Sequence, residues 1–201
     1  RASQGAVEMV LVSGHAGVGK STLINELPRM MASLRRPFLW AAGKFDQLSR
    51  GTPYGGIARA VQDLVRQSLS EPAPALERRR EELRRALGVN GRVLIDVVPE
   101  VELLLGPQPA VEELGPVEAQ NRFSLVFQGF LRAFAAPEQP LCLLLDDLQW
   151  ADPGSLKLLQ RLATDPASGH LLVLAAYRGE ELDEGPPLAA LSAELARAGV
   201  G

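Results

Sequence analysis

The eight residues from Gly14 to Ser21 constrain this chain more than any other stretch, because they read G-H-A-G-V-G-K-S. Residues 7–12 precede them as a run rich in β-branched side chains, which predicts a buried parallel strand. Residues 22–27 follow with apolar side chains at helical spacing. A glycine-rich loop between a strand and a helix is the context of a phosphate-binding loop, whose backbone N–H groups converge on an anion. The alternative is a glycine-rich turn that binds no ligand.

Two side chains of this loop have predicted roles. Lys20 is expected to reach the β- and γ-phosphates of a nucleotide, and the Ser21 hydroxyl is expected to hold Mg²⁺. The positive N-terminal end of the following helix adds to the attraction for phosphate. No side-chain chemistry is assigned to His15. The predicted phosphate-binding residues form one unbroken run: Gly14, His15, Ala16, Gly17, Val18, Gly19, Lys20, Ser21 and Thr22.

The helix after this loop is predicted to bury one apolar stripe, made of Leu23, Leu27, Met30 and Leu34. Pro28 lies inside the helix and is expected to kink it or to end its first half.

Length and composition restrict the class of protein. A chain of 201 residues with 46% hydrophobic residues suits one domain with a real core, and its net charge of −3 gives no sign of a nucleic-acid footprint. No apolar run is long enough to span a membrane, and no leader is visible. The single cysteine, Cys142, lies in an apolar run, so we expect a buried thiol. One cysteine cannot form an internal disulfide, which suits a reducing, cytoplasmic location. Because the chain opens with Arg1 rather than Met, we expect an excerpt of a longer multidomain polypeptide.

A second motif is the run L-C-L-L-L-D-D at residues 141–147, an apolar segment that ends in two acids. This is the Walker B pattern, in which Asp146 ends a buried strand and holds Mg²⁺ directly or through water. Asp147 is one residue further on, where its carboxylate would polarise an attacking water. The alternative is a strand followed by an acidic turn. For Asp152, which precedes Pro153, we predict the N-cap of a helix rather than a catalytic role.

Strands and helices alternate along the rest of the chain. Further strands are predicted at residues 37–42, ended by Gly43, and at residues 171–176, which follow an exposed His170 and are closed by Tyr177 and Arg178. Helices are predicted at residues 57–69, 76–88, 93–98, 117–134, 153–162 and 188–198, with a strand as the alternative at 93–98. The core face of the helix at 117–134 is predicted to contain Phe123, Val126, Phe127, Phe130 and Phe134. The alternation indicates an α/β fold with a parallel sheet covered on both faces and a helical insertion at about residues 54–135.

Four segments together resemble one group of proteins: residues 14–22, 43–47 (G-K-F-D-Q), 118–123 (E-A-Q-N-R-F) and 145–152 (L-D-D-L-Q-W-A-D). The chain resembles the AAA-type, P-loop ATPase domains of large bacterial signalling proteins, in the class called signal-transduction ATPases with numerous domains. The likeness is greatest to the ATPase module between a serine/threonine kinase domain and sensor histidine-kinase domains. The string D-D-L-Q-W-A-D is its most specific part.

This resemblance implies a three-layer P-loop sandwich in which the Walker B strand and the Arg178 strand lie beside the phosphate-loop strand. It implies ATP and Mg²⁺ as ligands and identifies Arg178 with the sensor arginine that touches the γ-phosphate; an exposed arginine after a strand is the alternative. It also implies a fifth strand after the final helix, which we expect to be missing because the chain stops at Gly201. Residues 7–12 would then form an edge strand, so we expect the chain alone to be poorly soluble or oligomeric.

The sequence therefore predicts an ATP-binding, slowly hydrolysing regulatory switch of a signalling protein, with Lys20, Asp147 and Arg178 as its catalytic residues. The expected partners are ATP, ADP, other domains of the parent chain and possible further copies of itself. The alternatives are a nucleotide-binding scaffold without turnover and a phosphotransferase, although no second substrate pocket can be recognised in the sequence. The roles of Lys44, Asp46 and Arg122 stay open.

Overall fold

The computed structural model describes residues 1–32, 38–47, 53–165, 167–179, 191 and 193 of the chain. Its strands are β1 (Val7–Gly14), β2 (Leu39–Lys44), β3 (Leu141–Asp146) and β4 (Leu171–Arg178), which form one parallel sheet in the order β1-β4-β3-β2. Its α-helices are α1 (Lys20–Ala32), α2 (Gly55–Leu69), α3 (Ala73–Leu87), α4 (Gly91–Ile95), α5 (Glu102–Leu105), α6 (Pro116–Phe134) and α7 (Pro153–Thr164). The predicted final helix at 188–198 lies outside the described residues, apart from residues 191 and 193.

The sheet is the middle layer of the fold, with buried apolar side chains on both of its faces. Successive residues of β3 belong to two different clusters: Leu143 packs with the larger core, whereas Leu144 packs with a smaller one around Ile24 of α1. A strand covered on both faces reads as a continuous apolar run, which is how β3 appears in the sequence. These features confirm the predicted α/β class with a parallel sheet and flanking helices. Cys142 is buried as predicted, and burial raises the pKa of its thiol to about 12.

The order of the strands differs in one respect from the order that the resemblance implies. The Arg178 strand, β4, does lie directly beside β1, with Arg178 in register with Gly14. The strand that ends in Asp146 does not pair with β1, because β4 lies between them. Its expected place beside the phosphate-loop strand is therefore wrong by one strand.

The buried face of α1 also differs from the prediction. Ile24 is only 1% exposed, whereas Leu23 and Met30 are 60% and 59% exposed. The predicted stripe is therefore wrong for these two residues, and Leu34 lies outside the described residues. The helix begins directly at the end of the glycine loop, so its start is set by the loop and the face turned to the sheet is one residue away from the predicted stripe. Apolar spacing alone does not define that rotation.

Proline does not interrupt α1. The helix continues past Pro28 to Ala32, so the predicted end of a first half at this residue is wrong. A proline removes one backbone donor from the helical ladder, and the loss of this one donor does not end the helix here.

Residues at the ends of two strands differ from the prediction. β2 continues through Gly43, the predicted stop, to Lys44. A Cβ atom on Gly43 would lie 2.0 Å from the carbonyl oxygen of Gly56, so glycine is required here for the start of α2 to approach the strand. At the opposite end of the sheet His170 is half-buried rather than exposed, and its carbonyl accepts a hydrogen bond from the Leu141 N–H at 2.9 Å. Pairing with neighbouring strands accounts for both differences.

The helices between β2 and β3 contribute buried side chains to the larger core. The short helix predicted near residues 93–98 is present as α4, and the long helix predicted at 117–134 is present as α6. The predicted core face of α6 is confirmed, since Phe123, Val126, Phe127, Phe130 and Phe134 are all buried.

Side chains of α2 cover the outer edge of β2. Leu39 and Phe45 direct their N–H groups to β3, so the alternate residues of β2 direct theirs to the outer edge. Helical residues four apart rise by about 6 Å, close to the repeat of about 6.6 Å between strand residues two apart. A row of α2 side chains therefore meets alternate peptide groups of β2. The contacts are Arg59 to the Lys44 carbonyl at 2.7 Å, Asp63 from the Ala42 N–H at 3.0 Å and Gln67 to the Trp40 carbonyl at 2.6 Å.

Candidate functional site

The predicted phosphate loop connects the end of β1 to the start of α1, and residues 15–19 are exposed. Gly17 and Gly19 have φ angles of 78° and 96°, in the left-handed region that side chains with a Cβ atom rarely adopt. A Cβ atom added to either glycine would meet nothing within 4 Å. The backbone conformation, and not a lack of space, therefore requires glycine at both positions, and the surroundings of the loop are open.

The ammonium group of Lys20 lies at this loop. Its Nζ donates to the carbonyl oxygens of Gly14 at 2.6 Å and His15 at 2.8 Å. The first helical hydrogen bond after the loop runs from the Leu23 N–H to the Gly19 carbonyl at 2.9 Å. The loop is thus followed directly by the positive end of α1, and a positively charged side chain lies beside it, as anion binding requires.

A hydroxyl group and a carboxylate from the two sequence motifs meet at the C-terminal edge of the sheet. Ser21 Oγ donates to Asp146 Oδ2 at 3.0 Å, although 125 residues separate them. The other carboxylate oxygen, Oδ1, accepts the backbone N–H of Asp147 at 2.9 Å, which orients the group. Such hard oxygen ligands fit Mg²⁺, which keeps several water and phosphate ligands and needs few from the protein. In the described ranges, no group of three or more His, Cys, Asp or Glu is placed to hold a metal ion.

Asp147 follows β3 in a left-handed conformation, with φ of 54°, and its carboxylate is surrounded by donors. Lys44 Nζ lies 3.0 Å from Oδ2, Gln149 Nε2 donates to Oδ1 at 2.9 Å, and Arg178 Nε is 3.9 Å from Oδ1. Burial opposes the charged form, but the hydrogen bonds from Lys44 and Gln149 and the charges of Lys44 and Arg178 lower the pKa of Asp147 overall. An ionised carboxylate of lowered pKa orients and polarises a water better than it accepts a proton.

Lys44 belongs to this site, and its role could not be assigned from the sequence. The register of β2 and β3 pairs Lys44 with Asp146, so the side chain lies beside both acids, with Nζ 3.7 Å from Asp146 Oδ2. The hydrogen bond to Asp147 and the charge of that residue are the main causes that raise the pKa of Lys44. Because the sequence indicated a strand that stops at Gly43, Lys44 was expected in a loop. The place of Lys44 beside the two acids could have been predicted from the rule that parallel strands end at the same edge of a sheet.

Arg178 and Gln149 complete the site on the β4 side. Arg178 ends β4 next to Gly14, which brings the predicted sensor arginine close to Asp147 and to the phosphate loop. Gln149 contacts Asp147 and Arg178: its Nε2 donates to Asp147, and its Oε1 accepts the Arg178 backbone N–H at 3.2 Å. Gln149 lies within the D-D-L-Q-W-A-D string, yet nothing in the string distinguishes it from a solvated polar residue.

Asp46 and Asp152 have structural contacts. Asp46 accepts a hydrogen bond from Arg59 of α2 at 2.8 Å, which ties it to the covered edge of β2. Asp152 accepts the Ser155 N–H at 3.0 Å, which confirms the predicted N-cap of α7. Its other oxygen accepts the Tyr54 N–H at 3.0 Å. The Tyr54 ring stacks on Phe123 of α6 at 4.1 Å between centroids, so Asp152 links the start of α7 to α2 and α6.

A cavity of about 630 Å³ opens beside the Ser21–Asp146 pair, on the side of β2 and α2. Its lining combines basic and acidic side chains, so the cavity has no single sign of charge, and residues 14–19 are not part of it. The lining residues are Ser21, Ala42, Gly43, Lys44, Arg59, Gln62, Asp63, Arg66, Leu144 and Asp146.

Comparison with known proteins agrees with this geometry. Residues 1–174 match the AAA ATPase domain family, and the chain belongs to that family. It is also 41% identical over 162 residues to hybrid signal transduction histidine kinase G of Dictyostelium discoideum. The aligned part is 81% of this chain but 5% of that protein, so the similarity concerns a small part of a much larger protein. Among the helices in the described ranges, none has the length and apolar character needed to cross a bilayer.

Proposed function

We propose that this chain is the nucleotide-binding module of a signalling protein, that it binds ATP with Mg²⁺, and that slow hydrolysis switches it between ATP and ADP forms. The observation that carries this proposal is the 3.0 Å contact between Ser21 and Asp146, which joins the loop motif to the carboxylate motif. Membership of the AAA ATPase domain family and the similarity to a signal transduction histidine kinase support it.

In the proposed bound state the phosphates lie against the N–H groups of residues 15–19 and the start of α1, and Lys20 Nζ moves from loop carbonyls to the β- and γ-phosphates. Ser21 and Asp146 would hold Mg²⁺. When bound, the ion neutralises phosphate charge and aligns the γ-phosphoryl group. Asp147 orients the attacking water, and Lys44 keeps its carboxylate ionised.

The switch requires an interaction that exists in only one nucleotide state, since a ligand shifts a protein only through unequal affinity for its conformations. We assign that interaction to Arg178, whose place at the end of β4 beside Gly14 supports a contact with the γ-phosphate. Its neighbour Asp147 is the residue proposed to orient water, so the same region would detect and cleave the γ-phosphate.

A scaffold that binds nucleotide without turnover is the second candidate. The observation in its favour is the 3.0 Å ion pair between Lys44 and Asp147, which engages the carboxylate needed for hydrolysis. Under this alternative the affinities for ATP and ADP still differ, but no phosphate is released.

The finer features of the prediction are also part of this proposal. They are a place among the signal-transduction ATPases with numerous domains, a bacterial kinase–ATPase–sensor kinase parent chain, one domain over residues 1–201 and a cytoplasmic location. The expected partners are ATP, ADP, the other domains of the parent chain and possible further copies. The small share of the relative that aligns with this chain supports a module within a larger protein.

The deciding experiment measures ATP·Mg²⁺ and ADP affinities by calorimetry, together with phosphate release, for the wild type and Arg178→Ala. We expect the wild type to bind ATP more tightly than ADP. In Arg178→Ala, the ratio of ATP affinity to ADP affinity is expected to fall about tenfold, while the ADP affinity itself changes by less than about twofold. The matched control is Arg92→Ala, an arginine of α4 that pairs with Asp96. No nucleotide binding by the wild type would refute the proposal, and equal losses for both nucleotides would make Arg178 a structural residue.

A further inference from the structure

The sheet has a gap in its backbone pairing beside the candidate site. β4 pairs with β1 as far as Gly14 and Arg178, but it pairs with β3 only as far as Leu145 and Ala175. β3 leaves the sheet because Asp147 turns the chain with a φ of 54°. The last three residues of β4 therefore have a strand on the β1 side alone.

The Arg178 N–H points into this gap. Successive residues of a strand direct their backbone groups to opposite neighbours. The Leu171 N–H donates to the Ala6 carbonyl on the β1 side, and the His170 carbonyl accepts from Leu141 on the β3 side. By this alternation the even-numbered residues of β4, including Arg178, direct their backbone groups toward β3. No residue of β3 extends far enough to meet the N–H of Arg178.

The side chain of Gln149 takes the place of the missing peptide group. A carboxamide has one acceptor and one donor end on a planar group, as a peptide does. Gln149 Oε1 accepts the Arg178 N–H at 3.2 Å, and Gln149 Nε2 donates to Asp147 Oδ1 at 2.9 Å. One rigid group thus contacts the end of β4 and the carboxylate that follows β3.

The two oxygens of Asp147 have different partners. Gln149 binds Oδ1, while Lys44 Nζ lies 3.0 Å from Oδ2. Without the amide donor, Oδ1 loses its hydrogen bond and is left with the more distant Arg178 Nε at 3.9 Å, so the carboxylate can rotate toward the ammonium group of Lys44, whose contact is shorter. Gln149 therefore sets the direction in which the carboxylate faces.

We propose that Gln149 is a positioning residue that orients Asp147 and holds the backbone of Arg178, and so couples water orientation to the detection of the γ-phosphate. This inference rests on the proposed function of the same site. Gln149 acts through these two neighbours, and each end of its amide serves one of them.

Two variants of Gln149 distinguish the role of its amide donor from the role of its amide acceptor. Gln149→Glu keeps an acceptor for the Arg178 N–H but has no donor for Asp147 and adds a like charge beside it. We expect kcat for ATP hydrolysis to fall at least about tenfold, with KM and the ATP-to-ADP affinity ratio changed by less than about threefold. Gln149→Leu removes both contacts, so we expect the same loss of kcat and, in addition, about a threefold or greater loss of the affinity ratio. The matched control is Gln108→Leu, whose amide donates to the Leu105 carbonyl at the end of α5.

The outcomes distinguish this inference from the proposed function. A wild type that neither binds nor hydrolyses nucleotide refutes the proposed function itself. A wild type that hydrolyses ATP, with Gln149→Leu matching it in kcat and affinity ratio, overturns the role of Gln149 alone. Equal loss of kcat and of affinity for both nucleotides in both variants also overturns it, because a merely structural residue behaves in that way. If thermal unfolding shows that Gln149→Leu does not fold, Gln149→Glu decides the question, and an unchanged kcat in that variant refutes the inference.

Discussion

The candidate site has a loop half, residues 14–22, and a carboxylate half, formed by Lys44, Asp146, Asp147, Gln149 and Arg178, and the two are held by different kinds of contact. The loop half is held by neighbours in sequence, since Lys20 Nζ donates to carbonyls five and six residues before it. The carboxylate half is assembled from the ends of β2, β3 and β4. A sequence motif can describe the first half, whereas the second half depends on strand register.

The halves also differ in charge. The loop half is exposed and combines a lysine with the positive end of α1, so we expect it to attract phosphate. The carboxylate half is partly buried. The positive charges of Lys44 and Arg178 balance the negative charges of Asp146 and Asp147. Binding strength is therefore expected to depend mainly on the loop half. Turnover and discrimination between nucleotides are expected to depend on the carboxylate half.

The largest effect is expected from Lys20→Ala, which disables the loop half. It removes the positive side chain that we propose to contact the β- and γ-phosphates, so we expect ATP·Mg²⁺ affinity to fall by about a hundredfold or more, measured by calorimetry. Lys157→Ala is the control, because Lys157 contacts Gln120 of α6. Micromolar ATP binding by Lys20→Ala would contradict the assignment of the loop.

The second prediction concerns a variant that disables the carboxylate half alone. Asp147→Asn keeps the shape of the side chain but removes its charge, so we expect nucleotide affinity to stay near normal while phosphate release falls about a hundredfold or more. Asp46→Asn serves as the comparison, because Asp46 pairs with Arg59. If Asp147→Asn keeps its turnover and Asp46→Asn loses it, Asp46 orients the water instead.

The third prediction tests the charge balance within the carboxylate half. Lys44→Gln removes the hydrogen bond and charge that lower the pKa of Asp147, so that pKa rises toward its ordinary value. Asp147 is then protonated at a higher pH, and the acid limb of the kcat profile is expected to move upward in pH. The Mg²⁺ concentration for half-maximal turnover is expected to fall about threefold, because one competing cation is gone. Lys44→Arg should keep both values near those of the wild type, and an unmoved acid limb in Lys44→Gln would exclude Lys44 from the control of Asp147.

The smallest effect is expected from a change at Asp152, a structural residue near the carboxylate half. Asp152→Ala removes the N-cap of α7 and the acceptor of the Tyr54 N–H, so we expect the free energy of unfolding in urea to fall by about 1–2 kcal/mol. ATP affinity should stay within about twofold of the wild type, since no contact of the loop half changes. Asp165→Ala, at the other end of α7, is the control. A large loss of ATP affinity in Asp152→Ala would show that the two halves are not independent.

Features that depend on short stretches of sequence could be predicted correctly. The order of strand, glycine loop and helix, the apolar run of β3 that ends in Asp146, the N-cap at Asp152 and the aromatic face of α6 all follow from local spacing. Their physical basis lies within a few residues: a glycine that accepts a positive φ, a cap that satisfies a helix N–H, or a repeat that places side chains on one face. The α/β class follows from their alternation.

The tertiary structure decided the features that depend on contacts between distant residues. The buried face of α1, the extension of β2 to Lys44 and the position of β4 between β1 and β3 are set by packing and by strand pairing. Gln149 belongs to the carboxylate half only because β3 ends before β4, which leaves the Arg178 N–H to a side chain. Backbone groups in a buried sheet need partners, and which side chain supplies one depends on where each strand ends in space.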